Sequence, residues 1–181
     1  MKYFQYYDLP NWNIVCQKLR DYVNDNPEFF SNTSLSAFRR SADGNVLANI
    51  PEITEMIKPL NCTIRVISFY ILYEHTDDSW IHVDGGAHAT RIILPVLNCD
   101  NTETRYYVSD SPLTELKQPN GLSYRVLDQT SNYKQVATLH VTQPAVHRVH
   151  ELHGVFLPKD QVFPRITCGI GVHEDLTHLL K

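Results

Sequence analysis

WIHVDGGAHATRIILPVL, residues 80–97, holds two runs rich in β-branched and aromatic residues, 80–84 and 90–97, on either side of the turn signal Asp84-Gly85-Gly86. Outward from it the same texture recurs at 64–73, 104–108, 123–127, 136–141, 145–149 and 165–172. The runs are separated by further turn chemistry at 98–101, Pro119-Asn120-Gly121 and Gln143-Pro144. Short strands at this spacing, with no helical pattern between them, predict a sandwich or closed barrel and exclude a βαβ repeat. The expected fold is mainly β, a double-stranded β-helix (jelly roll, cupin-like) with one or two N-terminal helices.

Upstream the pattern is helical. Residues 11–23 place Ile14, Val15, Leu19, Tyr22 and Val23 near one face, with Asn11 available as N-cap and 24–27 as a stop. Residues 51–58 form a second candidate helix, opened by Pro51 and ended by Pro59. No repeat or linker divides the chain, so one domain is expected over 1–181. Its parts are a helical N-terminal cover at 1–60, whose aromatics Tyr3, Phe4, Tyr6 and Tyr7 close one end of the barrel, and a jelly-roll core at 63–173.

With 43% hydrophobic and 20% charged residues over 181 positions, the composition is that of an ordinary globular chain. A net charge of -4 provides no basic field for holding a phosphate backbone, and nucleic acid is not an expected partner. Cys16, Cys62, Cys99 and Cys168 are far apart without CxxC spacing, which removes zinc-ribbon and thioredoxin-like readings. The N-terminal residues lack the apolar core of a signal peptide, and no run approaches the roughly 18 to 20 apolar residues of a membrane span. A cytoplasmic location with no membrane partner is the expectation.

His82 and Asp84 are two apart on a predicted strand, and side chains at i and i+2 share a face, so an imidazole and a carboxylate converge. Two histidines and one carboxylate on one face of a metal form the ligand set of non-haem Fe(II) oxygenases, and a second histidine is therefore required. His140, His147, His150 and His153 lie in the right region. Pro144 starts a fresh strand that turns His147 inward with Val149 beside it, which ranks His147 first, His150 next, and His140 or His153 after them. On 165–172, Arg165 and Thr167 share a face and offer a guanidinium fork and a hydroxyl to a carboxylate. Arg91 is a second candidate for that task or for gripping an acidic substrate. Tyr70, Tyr73, Tyr106 and Tyr107 fall on strands near the site.

The order of IHVDGGAHATRIILPVLNCDNTETRYY, PAVHRV and FPRITCGIGV, over about residues 63 to 173, resembles the core of the 2-oxoglutarate and Fe(II)-dependent oxygenase superfamily. Within it the chain is most similar to aspartyl/asparaginyl β-hydroxylase-like proteins and to small oxygenase-like proteins of marine phages, which also raises expression from a phage in its host's cytoplasm. The resemblance implies Fe(II) held by His82, Asp84 and His147 and 2-oxoglutarate held by Arg165. It also implies oxidative decarboxylation to succinate and CO2 coupled to hydroxylation of a small-molecule or peptide substrate. One departure stands out: the superfamily separates its late histidine from the arginine by about ten residues, and the interval from His147 to Arg165 is longer. That makes 151–162 an expected long loop, a place for substrate selection, with Arg91 gaining if the loop does not form. A cupin-like metalloenzyme that does not use 2-oxoglutarate and a non-catalytic jelly roll are the competing readings.

Overall fold

The structure, a computed structural model, describes residues 1–31, 37–41, 43–74, 81–85, 89–117, 123–128 and 130–181. Trp80, Gly86 and the Pro119-Asn120-Gly121 turn signal lie outside the described residues. Among those described, twelve strands form: β1 (Phe4–Tyr6), β2 (Ala37–Ser41), β3 (Ile64–Leu72), β4 (His82–Asp84), β5 (Thr90–Leu97), β6 (Glu103–Val108), β7 (Leu113–Lys117), β8 (Ser123–Leu127), β9 (Lys134–His140), β10 (Ala145–Arg148), β11 (His153–Phe156) and β12 (Arg165–Val172). They pair antiparallel into two six-stranded sheets, one ordered β1-β10-β5-β12-β3-β2 and the other β7-β8-β4-β11-β6-β9. From β3 to β12 the chain passes repeatedly between the sheets, as in a jelly roll.

The first sheet is built on alternation, interrupted by register shifts at Ile166/Thr167 and Gly171/Val172. Ile67, Phe69 and Ile71 of β3, Ile92, Leu94 and Val96 of β5, Val146 of β10, and Ile166, Cys168 and Ile170 of β12 all join one buried apolar cluster. The cluster continues through Val15, Cys16, Leu19 and Val23 of helix α1 (Trp12–Asp25), Phe30 of α2 (Pro27–Phe30), Val46 of α3 (Asp43–Asn49), and Ile53, Met56 and Ile57 of α4 (Glu52–Ile57). At roughly 1.5–3 kcal/mol for each large side chain removed from water, this helix-covered face is the main source of stability. The opposite face of the sheet carries Ser68, Tyr70, Arg91, His147, Arg165 and Thr167. It looks toward the second sheet, because Arg91 reaches Asp84 and His147 reaches Tyr106.

Several expectations are corrected. Residues 1–60 are not only a helical cover, since β1 and β2 extend the first sheet at its two edges. Asn11 occupies the N-cap position of α1 but with a left-handed backbone (φ 57) and no side-chain cap hydrogen bond. Ile14 is 48% exposed and Cys16 takes the place in the buried face that Ile14 was expected to fill. Pro51 precedes α4 as its N-cap, and a 3-10 turn over Lys58–Leu60 carries Pro59. The segment 151–162, expected as loop, contains β11. All four cysteines are free. No helix among the described residues is long and apolar enough to cross a membrane.

Candidate metal centre

Three neighbouring strands of the second sheet bring the site together. β11 lies between β4 and β6, and His153 pairs across the strands with His82 on one side and Tyr106 on the other. Cross-strand partners point to the same face, so these rings stand side by side, and Asp84 joins them two residues beyond His82. The Nε2 atoms of His82 and His153 lie 3.3 and 3.9 Å from Asp84 Oδ1. One ligand atom from each of the three residues fits within a span of 4.8 Å. The side chains are 17%, 12% and 7% exposed for His82, Asp84 and His153, so the cluster is largely shielded from water.

The protonation pattern suits a cation. His153 Nδ1 is 2.8 Å from the Glu151 carbonyl, which can only accept, so Nδ1 carries the proton and Nε2 turns its lone pair toward Asp84. Burial, followed by the field of His82, lowers the His153 imidazole to about 4, leaving it neutral near pH 7. Burial works to raise the Asp84 carboxyl, but the hydrogen bond from His82 and the charges of His153, His82 and His147 outweigh it and hold it below its ordinary value. Asp84 is thus an ionised carboxylate beside a neutral His153 whose Nε2 lone pair is free, while a metal would replace the proton that His82 Nε2 shares with Asp84.

The structure does not bring His147 into this cluster; the third residue is His153. His147 does point inward, at 5% exposure, but from β10 of the opposite sheet, with its Nδ1 3.0 Å from the Tyr106 hydroxyl and its ring 6.3 Å from that of His153. Burial, followed by the field of His153, lowers it to about 3. His150 follows β10 in a bend and His140 ends β9 at the exposed surface, so neither completes the trio. The sequence held a signal for the clustered histidine: Arg165 follows His147 by 18 positions but His153 by 12, closer to the spacing the superfamily implies. Of the four tyrosines, Tyr106 bonds His147, Tyr70 bonds Arg91, Tyr73 donates to the Phe30 carbonyl, and Tyr107 packs on Tyr133 away from the site.

Arg165 and Thr167 lie on the interior face of β12, since the intervening Ile166 and Cys168 belong to the helix-covered core. Two positions further along the same face, a Cβ on Gly169 would meet the side chains of Tyr70 and Arg91, so this row runs toward the arginine that touches Asp84. Arg165 is 2% exposed, and its Nε and Nη2, together with Thr167 Oγ1, have no hydrogen-bond partner among the described residues. Burial lowers the guanidinium below its ordinary value. A buried cation with idle donors costs several kcal/mol, and an anion from outside the chain would relieve that cost. Arg91, the alternative, already donates from Nη1 to Asp84 Oδ2 at 3.1 Å and bonds the Tyr70 hydroxyl.

No protein-family model matches the chain, and no curated protein sequence matches it at a significant level. Among solved structures it is similar to a Pseudomonas putida prolyl-4-hydroxylase, with a TM-score of 0.41 and 12% identity over 93% of this chain and 90% of that one. At that distance the likeness transfers neither activity nor residue roles.

Proposed function

We propose that this chain is an Fe(II)- and 2-oxoglutarate-dependent oxygenase that hydroxylates a small molecule or a peptide. The observation that carries the reading is the pairing, on facing interior walls, of the His82, Asp84 and His153 cluster with the unpartnered Arg165 and Thr167. The donor set is the one that non-haem Fe(II) takes, and the orphaned guanidinium and hydroxyl match the distal carboxylate of 2-oxoglutarate.

His82, Asp84 and His153 would hold the metal, His82 giving up the proton it shares with Asp84, and the Glu151 carbonyl fixes the orientation of His153. When bound, Fe(II) supplies the activation of oxygen, with 2-oxoglutarate as the co-reductant that leaves as succinate and CO2. Arg165 and Thr167 would hold the far carboxylate of the cosubstrate through the donors they leave unused. Tyr106, Ile93, Leu139, Val141 and Ala145 pack as a separate apolar group beside the histidines and keep bulk water from that side.

Anaerobic titration of the protein with Fe(II) and then 2-oxoglutarate tests this. A visible metal-to-ligand charge-transfer band should need both additions, vanish in His82→Ala and His153→Ala, persist in His147→Ala, and weaken sharply in Arg165→Ala. Stoichiometric metal without a 2-oxoglutarate response would favour a cupin-like enzyme, and absence of metal binding would sink both.

A further inference from the structure

Arg91 is a candidate from the sequence for gripping a carboxylate of the cosubstrate or of an acidic substrate, and its surroundings fit a different task. The two oxygens of Asp84 face opposite ways. Oδ1 looks at the histidines, 3.3 Å from His82 Nε2 and 3.9 Å from His153 Nε2, while Oδ2 accepts from Arg91 Nη1 at 3.1 Å. The same Nη1 bonds the Tyr70 hydroxyl, so the guanidinium is tethered between β3 and β4 from its own strand, β5. Space for this arrangement comes from β12. A Cβ at Gly169 would stand 2.7 Å from Tyr70 Cε2 and 3.0 Å from Arg91 Cδ, so any side chain there displaces the pair.

We propose that Arg91 is a positioning residue that occupies Asp84 Oδ2, so that the carboxylate presents only Oδ1 to a metal, with Tyr70 and the bare Cα of Gly169 holding the guanidinium in register. This rests on the reading of His82, Asp84 and His153 as a metal centre. A carboxylate bound through both oxygens takes two coordination positions, whereas one whose second oxygen is held in a charge-assisted hydrogen bond takes one. The difference is one exchangeable position, and a site that must accept a chelating cosubstrate and a further ligand needs it open. With Arg91 and Asp84 side chains only 14% and 12% exposed, water competes weakly for that hydrogen bond.

The experiment uses Mn(II) alone as probe on the full chain, counting metal-bound waters by electron paramagnetic resonance in oxygen-17-enriched water. Arg91→Met should lose one coordinated water relative to the wild type as Asp84 becomes bidentate, and Arg91→Lys, which keeps a cation in reach, should restore it. An unchanged water count in folded Arg91→Met overturns the proposal. Should that variant fail to fold, Tyr70→Phe and Gly169→Ala take its place: a lost water in either supports the proposal, and wild-type counts in both overturn it. If wild-type protein does not bind Mn(II), or His153→Ala binds it equally well, the metal-centre reading itself fails and the positioning role falls with it.

Discussion

On β12, Ile166, Cys168 and Ile170 press into the helices while Arg165 and Thr167, one step along the same backbone, face the second sheet with donors unused. β3 and β5 repeat the contrast, with Phe69 in the helix-covered core beside Tyr70, and Ile92 beside Arg91. In one sheet, then, one side is almost wholly apolar, while the other mixes polar, charged and partly unsatisfied side chains with Ile93 and Ala145. Alternation lets a chain assign stability and chemistry to odd and even positions of the same strands, so adjacent residues should respond to mutation in opposite ways.

The largest effect expected is Phe69→Ala. Its ring is fully buried, 4.9 Å from Phe30 and 6.3 Å from Tyr22, and truncation should cost about 3–5 kcal/mol in urea unfolding without changing metal affinity per folded molecule. Next is acid. In metal-free protein His147 and His153 are held neutral with values of about 3 and about 4 against 6.5, whereas the unfolded chain takes up protons below 6.5. Stability is therefore full above that point and falls as pH drops toward the folded values. Between about pH 7 and pH 5 the loss should be about 2 kcal/mol per histidine, and His147→Leu should remove one share of it. Equal urea midpoints at the two pH values would erase the contrast in buried titratable groups.

Arg165→Met should raise the stability of the metal-free protein by about 1–3 kcal/mol, because it removes an uncompensated buried cation, while abolishing the 2-oxoglutarate response. A destabilised Arg165→Met would mean that the guanidinium has a structural partner and that the interior face is not held for a ligand. The smallest effect is Thr167→Val, isosteric and without the idle hydroxyl. Its stability should change by less than about 1 kcal/mol, with 2-oxoglutarate binding weakened roughly five- to tenfold by the lost hydrogen bond.

The long strands were legible because their alternation is strong. β5, β8 and β12 begin and end where the β-branched runs do, and β3 and β6 differ from them by one residue at an end. Asp84 and His82 could be paired from their spacing alone, and Arg165 with Thr167 likewise. β11 was not legible, because HGVF is only four residues long, begins with His and Gly, and is followed by Pro158, a composition that reads as loop. Its register beside β4 and β6 comes from long-range pairing, so strand pattern alone favours His147, which faces the same interior from the opposite sheet, over His153. β1, β2 and β7 are edge strands whose patterns are weak: β1 and β2 are made strands by pairing with β10 and β3, far along the chain, and β7 by its hairpin with β8. In α1 the helix was clear, but its phase was off by enough to exchange Ile14 for Cys16.

β12 lies between β3 and β5, pairing with both. During synthesis, therefore, β3 and β5, which flank it, emerge early and have no strand to join them to each other until residues 165–172 leave the ribosome. About a hundred residues separate β3 from the strand that closes this apolar face, a topology of high contact order that folds slowly and leaves β3 and β5 each with an open edge in the interim. A nascent or prematurely terminated chain ending before Arg165 is thus the species most exposed to aggregation, and yield on expression should depend more on how quickly that last strand arrives than on the stability of the finished fold.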